Sequence, residues 1–380
     1  MQMKKRVAII GGGPGGLTLA RILSLHGISA CVFEYDEHPL ARPQGGSLDL
    51  HGDGAQRALR EARLEQEFFA LARYDDQYDG LYDKHAQLVF EHAEAGGGDR
   101  PEIDRTQLRQ MLLDSLPQGT VRWNQAIRGV EASGDGRHRV LGRGGPLGEF
   151  DLVVGADGAF SKVRPLLSDV RPSYAGATFV ELEIDDIDRR HPELAALVPR
   201  GKIFAVEEGR GIIAQRSSGG HVRVYLAFRV HESWQRDGAV DFSTPERART
   251  TLKAQFPGWS ERLLAFIDCA SDRIVPRPLV ALPVGHRYQH RAGVTLLGDA
   301  AHVMSPFGGN GVNLAMIDAT DLALALVNQP DWDRAVAEYE ERMFERATEP
   351  AAGAKEGLES FLAEGGLEGI RAHLADASQG

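Results

Sequence analysis

The chain opens on a short apolar run, Arg6-Val7-Ala8-Ile9-Ile10, which stops at the glycine cluster Gly11-Gly12-Gly13-Pro14-Gly15-Gly16. Beyond the cluster Leu17, Ala20, Ile22, Leu23 and Leu25 recur at roughly helical spacing, and residues 29–34 return to a strand pattern that ends on Glu34. Residues 151–158 read as a strand entering a turn, and residues 293–302 as a buried strand ending on Asp299. Val312, Ala315, Met316, Ala319 and Leu322 then mark one face of a helix. Between about 170 and 285 the period changes to two. In residues 221–230 the even positions are apolar, which leaves Arg223, Tyr225 and Arg229 sharing the other face, towards either a cavity or water. Residues 203–206 and 212–215 predict neighbouring strands joined by a turn at 207–210. After Pro330 an acidic helix is predicted over 332–346, followed by a second apolar pattern at Leu358, Phe361, Leu362, Leu367 and Ile370. The stretches 96–99 and 142–148 read as glycine-rich flexible turns without chemistry.

Strand, glycine turn, helix, second strand and terminal acid occur in the order of a dinucleotide-binding fingerprint. Gly11 permits the tight turn, Gly13 lets backbone N–H groups approach a pyrophosphate, and Gly16 lets the helix lie close to the strand. The helix start adds partial positive charge, and Glu34 is placed to accept hydrogen bonds from ribose hydroxyls. One such fingerprint is present, where enzymes with a separate nicotinamide domain usually carry two.

Composition changes this picture little. The 380 residues are 42% apolar and 26% charged, an ordinary balance for a globular chain of two or three domains. A net charge of −11 argues against a nucleic-acid partner. No run approaches the roughly 18 apolar residues of a membrane span, and the N-terminus lacks the long apolar stretch of a secretion signal, so a cytoplasmic protein is expected. Two cysteines, Cys31 and Cys269, are too few for a disulfide framework or a metal cage.

The fingerprint, the Asp157-Gly158 segment and Gly298-Asp299 followed by residues 306–313 together resemble the group A flavoprotein monooxygenases, of the para-hydroxybenzoate hydroxylase type. The resemblance covers most of the chain. It implies an α/β fold: a Rossmann-like FAD-binding domain (residues 1–72, 95–169 and 286–328) interleaved with a β-sheet substrate domain (73–94 and 170–285), plus a C-terminal helical segment (329–380) that braces both. It further implies that Gly298-Asp299 lies at the FAD ribose and pyrophosphate and that Asp157 serves both FAD and NADPH. Pro306, Gly309, Gly311, Val312 and Asn313 would run beside the flavin ring, with Phe307 and Gly308 towards the substrate. NADPH would bind transiently, at residues the pattern does not assign.

Residues 41–51 and 101–109 look like the corresponding segments of the tetracycline-inactivating flavin monooxygenases. That closer resemblance implies that Asp49, Arg105 and Asp299 contact FAD and that Arg42 serves NADPH or the flavin edge; Arg109, four residues along from Arg105 on the same helix face, is expected to join them in binding the cofactor. At the positions expected to touch substrate the chain departs from that subfamily. Leu182 stands for a glutamine, Lys202 for an arginine and Arg223 for a histidine; Tyr225 lies on the same strand as Arg223.

The chemistry expected is hydroxylation of an electron-rich aromatic or enolic small molecule by O2 through a flavin C4a-hydroperoxide, with NADPH as electron donor and a monomer as the simplest assembly. The cofactor carries the reaction, so no acid–base residue is nominated, and His302 is read as structural. Two alternatives stand beside this: a halogenase or reductase on the same fold, and a flavin-binding redox sensor. Against the halogenase, Trp123, Trp234, Trp259 and Trp332 are isolated and form no tryptophan-rich motif.

Overall fold

The computed structural model describes residues 5–42, 44–74, 78–93, 99–134 and 136–377, the side chains of residues 93 and 373–377 excepted. Five parallel strands form the first sheet, in spatial order Val294–Leu296, Leu152–Gly155, Arg6–Ile10, Ser29–Phe33 and Val121–Arg122. Val7, Ala8, Ile9, Val153 and Val154 are fully buried in its centre, as expected of parallel strands covered on both faces. Helices Pro14–Leu25 and Asn310–Asn328 pack side by side. Gly15 makes that close approach possible, because a Cβ there would stand 2.8 Å from the Ala315 carbonyl oxygen.

A seven-stranded sheet lies beside this layer. Its order is Val275–Ala281, Ser173–Ile184, Val222–Arg229, Arg210–Arg216, Lys202–Glu207, Tyr78–Tyr82 and Leu88–Ala93. All its pairings are antiparallel except that of Lys202–Glu207 with Tyr78–Tyr82. The chain therefore crosses between the two sheets several times, and the fold is the interleaved α/β arrangement expected. A two-stranded ladder, Ser47–Asp49 against Glu102–Asp104, forms a seam between the halves. Leu48 and Ile103 point into the parallel-sheet core, while Asp104 accepts the Ser218 N–H at 3.3 Å on the side of the large sheet.

Two expectations need correction. The 142–148 stretch is mostly strand: His138–Gly142 and Gly145–Phe150 form a hairpin inside a three-stranded antiparallel sheet. The C-terminal segment has no break near residue 346, because Trp332–Phe361 is one 30-residue helix that runs through Pro350. Packing outweighs the missing hydrogen bond. Val336, Tyr339, Met343 and Phe344 pack on the parallel-sheet core, and Leu358 and Phe361 pack on the large sheet. That single helix braces both halves. The 96–98 part of the 96–99 turn lies outside the described residues.

Among the described residues one helix, Asn310–Asn328, is long and apolar enough to cross a membrane, and 61% of it is buried inside the protein. Both cysteines are free.

Candidate active site

The glycine turn adopts the geometry its sequence requires. Gly11 has φ +109°, and a Cβ on it would stand 2.3 Å from the Ala156 carbonyl oxygen; a Cβ on Gly16 would stand 2.1 Å from the Gly11 oxygen. Nothing lies within 4 Å of the Cβ position of Gly13, which is the N-cap of helix Pro14–Leu25. The open side of the turn and a 12-residue helix thus meet at one point.

Glu34 is 6% exposed and already holds the turn: its two carboxylate oxygens accept the Gly12 N–H at 2.6 Å and the Asp36 N–H at 2.9 Å. Each oxygen keeps a further lone pair for a ligand. Arg109, expected to bind the cofactor, has its guanidinium engaged by the protein. Its buried guanidinium donates to the Gly12 carbonyl at 3.1 Å, the Pro39 carbonyl at 3.0 Å and Asp36 at 3.1 Å, and lies over the Trp123 ring. It acts on the site by fixing the turn. Arg42 donates to the other Asp36 oxygen at 2.9 Å and is 60% exposed, which places it beside the strand end that carries Glu34. Arg105, one turn before Arg109, is half-buried beside Gly45 and, among the described residues, has no hydrogen-bond or ionic partner.

The next two segments meet across the parallel sheet. Asp157 accepts the Lys162 N–H at 2.6 Å through Oδ2. Among the described residues its Oδ1, shielded from solvent, has no hydrogen-bond partner, and burial pushes this carboxyl upward. Gly298 takes φ +58° and sends the exposed Asp299 side chain off the strand end, 4.0 Å from the Cβ position of Gly311; among the described residues that side chain accepts no hydrogen bond and forms no ion pair. Arg164 knits the two segments together, donating to the Ala300 carbonyl at 2.7 Å and the Ala159 carbonyl at 2.6 Å. Nothing in the residues around Arg164 marks this role, which shows only once the two segments are folded against each other.

Pro306 and Gly308 are exposed, while Phe307 and Gly309 are half-buried. Gly309 has φ +64°, and a Cβ on it would stand 2.7 Å from Asp49 Oδ1. Asp49 also meets His51 Nε2 at 3.3 Å; burial raises its carboxyl, but His51 and Lys202 outweigh that and hold it below the ordinary range. Gly311 and Val312 form the first turn of helix Asn310–Asn328. The Asn313 side chain is fully engaged by protein: Oδ1 accepts the His51 and Ala55 N–H groups, and Nδ2 donates to the Asp49 and Gly309 carbonyls. Only its backbone remains for a ligand.

The large sheet supplies the opposite wall. Tyr225 shares its face with Phe179, and Phe307 reaches across from the glycine loop to within 6.3 Å of the Phe179 ring centroid. Leu182 requires a correction. It is fully buried on the other face of its strand, among Val180, Ile184 and Val224 under the helices that back the sheet. With a period of two, an alignment one residue off reverses the face; Glu181 and Glu183 are the residues on the face of Tyr225 there. Arg223 does share that face, but it is 3% exposed and paired with Glu183 at 2.7 Å. Lys202 sits 3.6 Å from Asp79, whose charge raises its ammonium.

His302 is buried and joined to Asp318, consistent with a structural reading. Asp318 was missed; its signal is an acid embedded in the apolar run of helix Asn310–Asn328.

An open glycine turn, an unpaired shielded Asp157 oxygen, a free Asp299 and a free Arg105 are groups that fit an elongated dinucleotide. The family described as FAD binding domain matches residues 4–338. The monooxygenase penA of Penicillium thymicola is 32% identical over 84% of this chain and 84% of its own. The chain belongs to the FAD-dependent monooxygenases. Two solved flavoenzymes share the fold of this monooxygenase: HpxO of Klebsiella pneumoniae, complexed with FAD and uric acid (TM-score 0.81, 20% identity, 100% of this chain and 94% of the other), and the tetracycline destructase Tet(55) (TM-score 0.77, 21% identity, 100% and 96%). At these identities the likeness to the tetracycline-inactivating enzymes is one of fold.

Proposed function

We propose that this monooxygenase consumes NADPH and hydroxylates an electron-rich aromatic or enolic carbon of a small molecule. One atom of O2 enters the substrate and the other leaves as water, the two electrons coming from NADPH. The observation that carries the reading is the placement of Phe307. It belongs to the glycine loop that starts helix Asn310–Asn328, yet its ring packs with Phe179 of the large sheet and with Phe361 at the end of the C-terminal helix. The loop and the aromatic wall therefore border one space.

In this reading Gly11, Gly13 and Gly16 receive the pyrophosphate, Glu34 the adenosine ribose, and Asp157, Arg105 and Asp299 the remainder of FAD. When bound, FAD supplies the two-electron and oxygen chemistry. The protein contributes electrostatics and exclusion of water. The N-terminus of the 19-residue helix Asn310–Asn328 directs partial positive charge at the loop, where negative charge on a reduced cofactor would gather. Phe179, Phe204 and Phe307 keep the substrate side dry.

The test is NADPH oxidation by the yellow protein with phenols, enolic compounds and tetracyclines, coupled to mass spectrometry of the products. Substrate-dependent oxidation and a product heavier by one oxygen are expected. Failure of every compound to raise oxidation or gain oxygen would refute the reading. Tetracyclines belong in the panel because Tet(55) shares the fold.

A further inference from the structure

The register of the large sheet arranges the face that carries Tyr225 in three rows. The first runs through Glu183, Arg223, Gln215, Lys202 and Asp79; the second through Glu181, Tyr225, Ile213, Phe204 and Leu81; the third through Phe179, Ala227, Gly211 and Val206. The third row is taken, since the Phe361 ring lies 2.6 Å from where a Gly211 Cβ would be. Tyr225, Ile213 and Phe204 of the middle row are half-buried and border Phe307.

Arg223, Arg273, Arg277 and Lys202 are all ion-paired, the four of them sharing three carboxylates. Arg223 meets Glu183 at 2.7 Å and Arg273 meets the same carboxylate at 2.5 Å. Arg277 meets Glu181 at 3.4 Å, and Lys202 meets Asp79 at 3.6 Å. A carboxylate placed here would face four cations that already have anions, together with the carboxylates themselves. The uncharged polar groups are in the opposite condition. Among the described residues the Tyr225 hydroxyl and the Gln215 amide have no hydrogen-bond partner, and the buried Arg223 Nε–H has no acceptor. Gly46 lies against the first two, a Cβ there standing 3.3 Å from the Tyr225 oxygen and 3.1 Å from Gln215 Oε1.

We propose that the substrate is an uncharged, flat aromatic molecule, held by a neutral carbonyl or hydroxyl at Tyr225 and Gln215 with its ring system on Ile213, Phe204 and Phe307, and that the site rejects aromatic carboxylates. This rests on the proposed function, which assigns the free Arg105 to FAD. A buried carboxylate without its own cation costs several times a neutral amide's desolvation, so discrimination is strong.

The test uses the FAD-loaded enzyme and a matched pair, 3-hydroxy-2-naphthamide and 3-hydroxy-2-naphthoate, with Kd read from the perturbed flavin spectrum. The amide is expected to bind at least about tenfold more tightly, a difference of ~1.4 kcal/mol. Glu181→Gln, which releases the half-exposed Arg277, is expected to narrow that ratio by favouring the acid. Because the readout is a ratio within one protein preparation, a general loss of stability does not imitate it. Equal binding, preference for the acid, or binding of neither would overturn the proposal while leaving the hydroxylase reading standing. Tight binding of the amide with no oxygen transfer to any phenolic or enolic compound would leave the platform standing and refute the hydroxylase.

Discussion

The His302 imidazole meets the Asp318 carboxylate at 2.7 Å through Nε2, with both side chains buried. The same carboxylate oxygen accepts the Gly298 N–H at 3.0 Å, and the other oxygen accepts Arg346 at 2.8 Å. One buried acid thus ties the strand end that carries Asp299 to the long C-terminal helix. Replacing Asp318 by Asn leaves His302 and Arg346 short of a charge, and loss of one partner of a buried pair costs about 3–5 kcal/mol. Urea unfolding should show a loss of that order, and FAD should be released more readily because Gly298 no longer has a fixed acceptor.

The pair also sets a pH dependence. Burial lowers the His302 pKa, but attraction to Asp318 and its hydrogen bond outweigh burial, and the net shift is upward. A histidine raised on folding stabilises the protein below its unfolded pKa of about 6.5, and that contribution fades as pH rises through the folded value. His302→Gln should therefore flatten stability against pH on the alkaline side of about 6.5, as read by thermal unfolding.

Glu102 behaves in the opposite sense from an ordinary surface acid. It is 4% exposed in the seam between the sheets, and burial, only partly offset by Lys202 and Ser47, pushes its carboxyl up to about 7. The folded protein then holds a proton that the unfolded chain releases near pH ~4.3. Stability should fall as pH rises from about 4.5 to 7, by up to ~3 kcal/mol from this group. Glu102→Gln should remove that slope in urea unfolding between pH 5 and pH 7.5; an unchanged slope would show that Glu102 is ionised throughout.

Asp299 and Gly309 separate binding from folding in a different way. The Asp299 side chain is exposed and, among the described residues, accepts no hydrogen bond and forms no ion pair. Asp299→Ala should leave unfolding within about 0.5 kcal/mol of the parent and weaken FAD binding about tenfold or more, the worth of a charge-assisted hydrogen bond. Gly309→Ala should instead cost both, since φ +64° strains an L residue by about 1–2 kcal/mol and the added carbon would displace Asp49. Fluorescence of released flavin measures the first effect and thermal unfolding the second.

The local parts of this site were legible because each is encoded by adjacent residues. Gly11 to Glu34 spell out their own turn, helix and strand, and Gly298-Asp299 ends a run of buried-strand residues. What needed the fold was non-local. Arg109 reads as a cofactor ligand beside Arg105, and only the folded turn at Gly12 shows its guanidinium taken up by Gly12, Pro39 and Asp36. Leu182 and Glu181 exchange faces with a single-residue slip, which periodicity in a mixed strand does not fix. Glu102 looks like a helix-preceding acid, and only the meeting of two sheets buries it. The continuity of Trp332–Phe361 through Pro350 likewise depends on both halves of the molecule packing along one helix.

The most direct test of the central claim is the fate of oxygen in the product. Purified FAD-loaded protein, NADPH and an uncharged phenolic aromatic compound should be incubated under heavy-isotope oxygen gas and the product analysed by mass spectrometry. The account predicts a product carrying one labelled oxygen atom, formed with NADPH oxidation that rises on substrate addition. NADPH oxidation indifferent to every aromatic or enolic compound tried, with no label in any product, would contradict it.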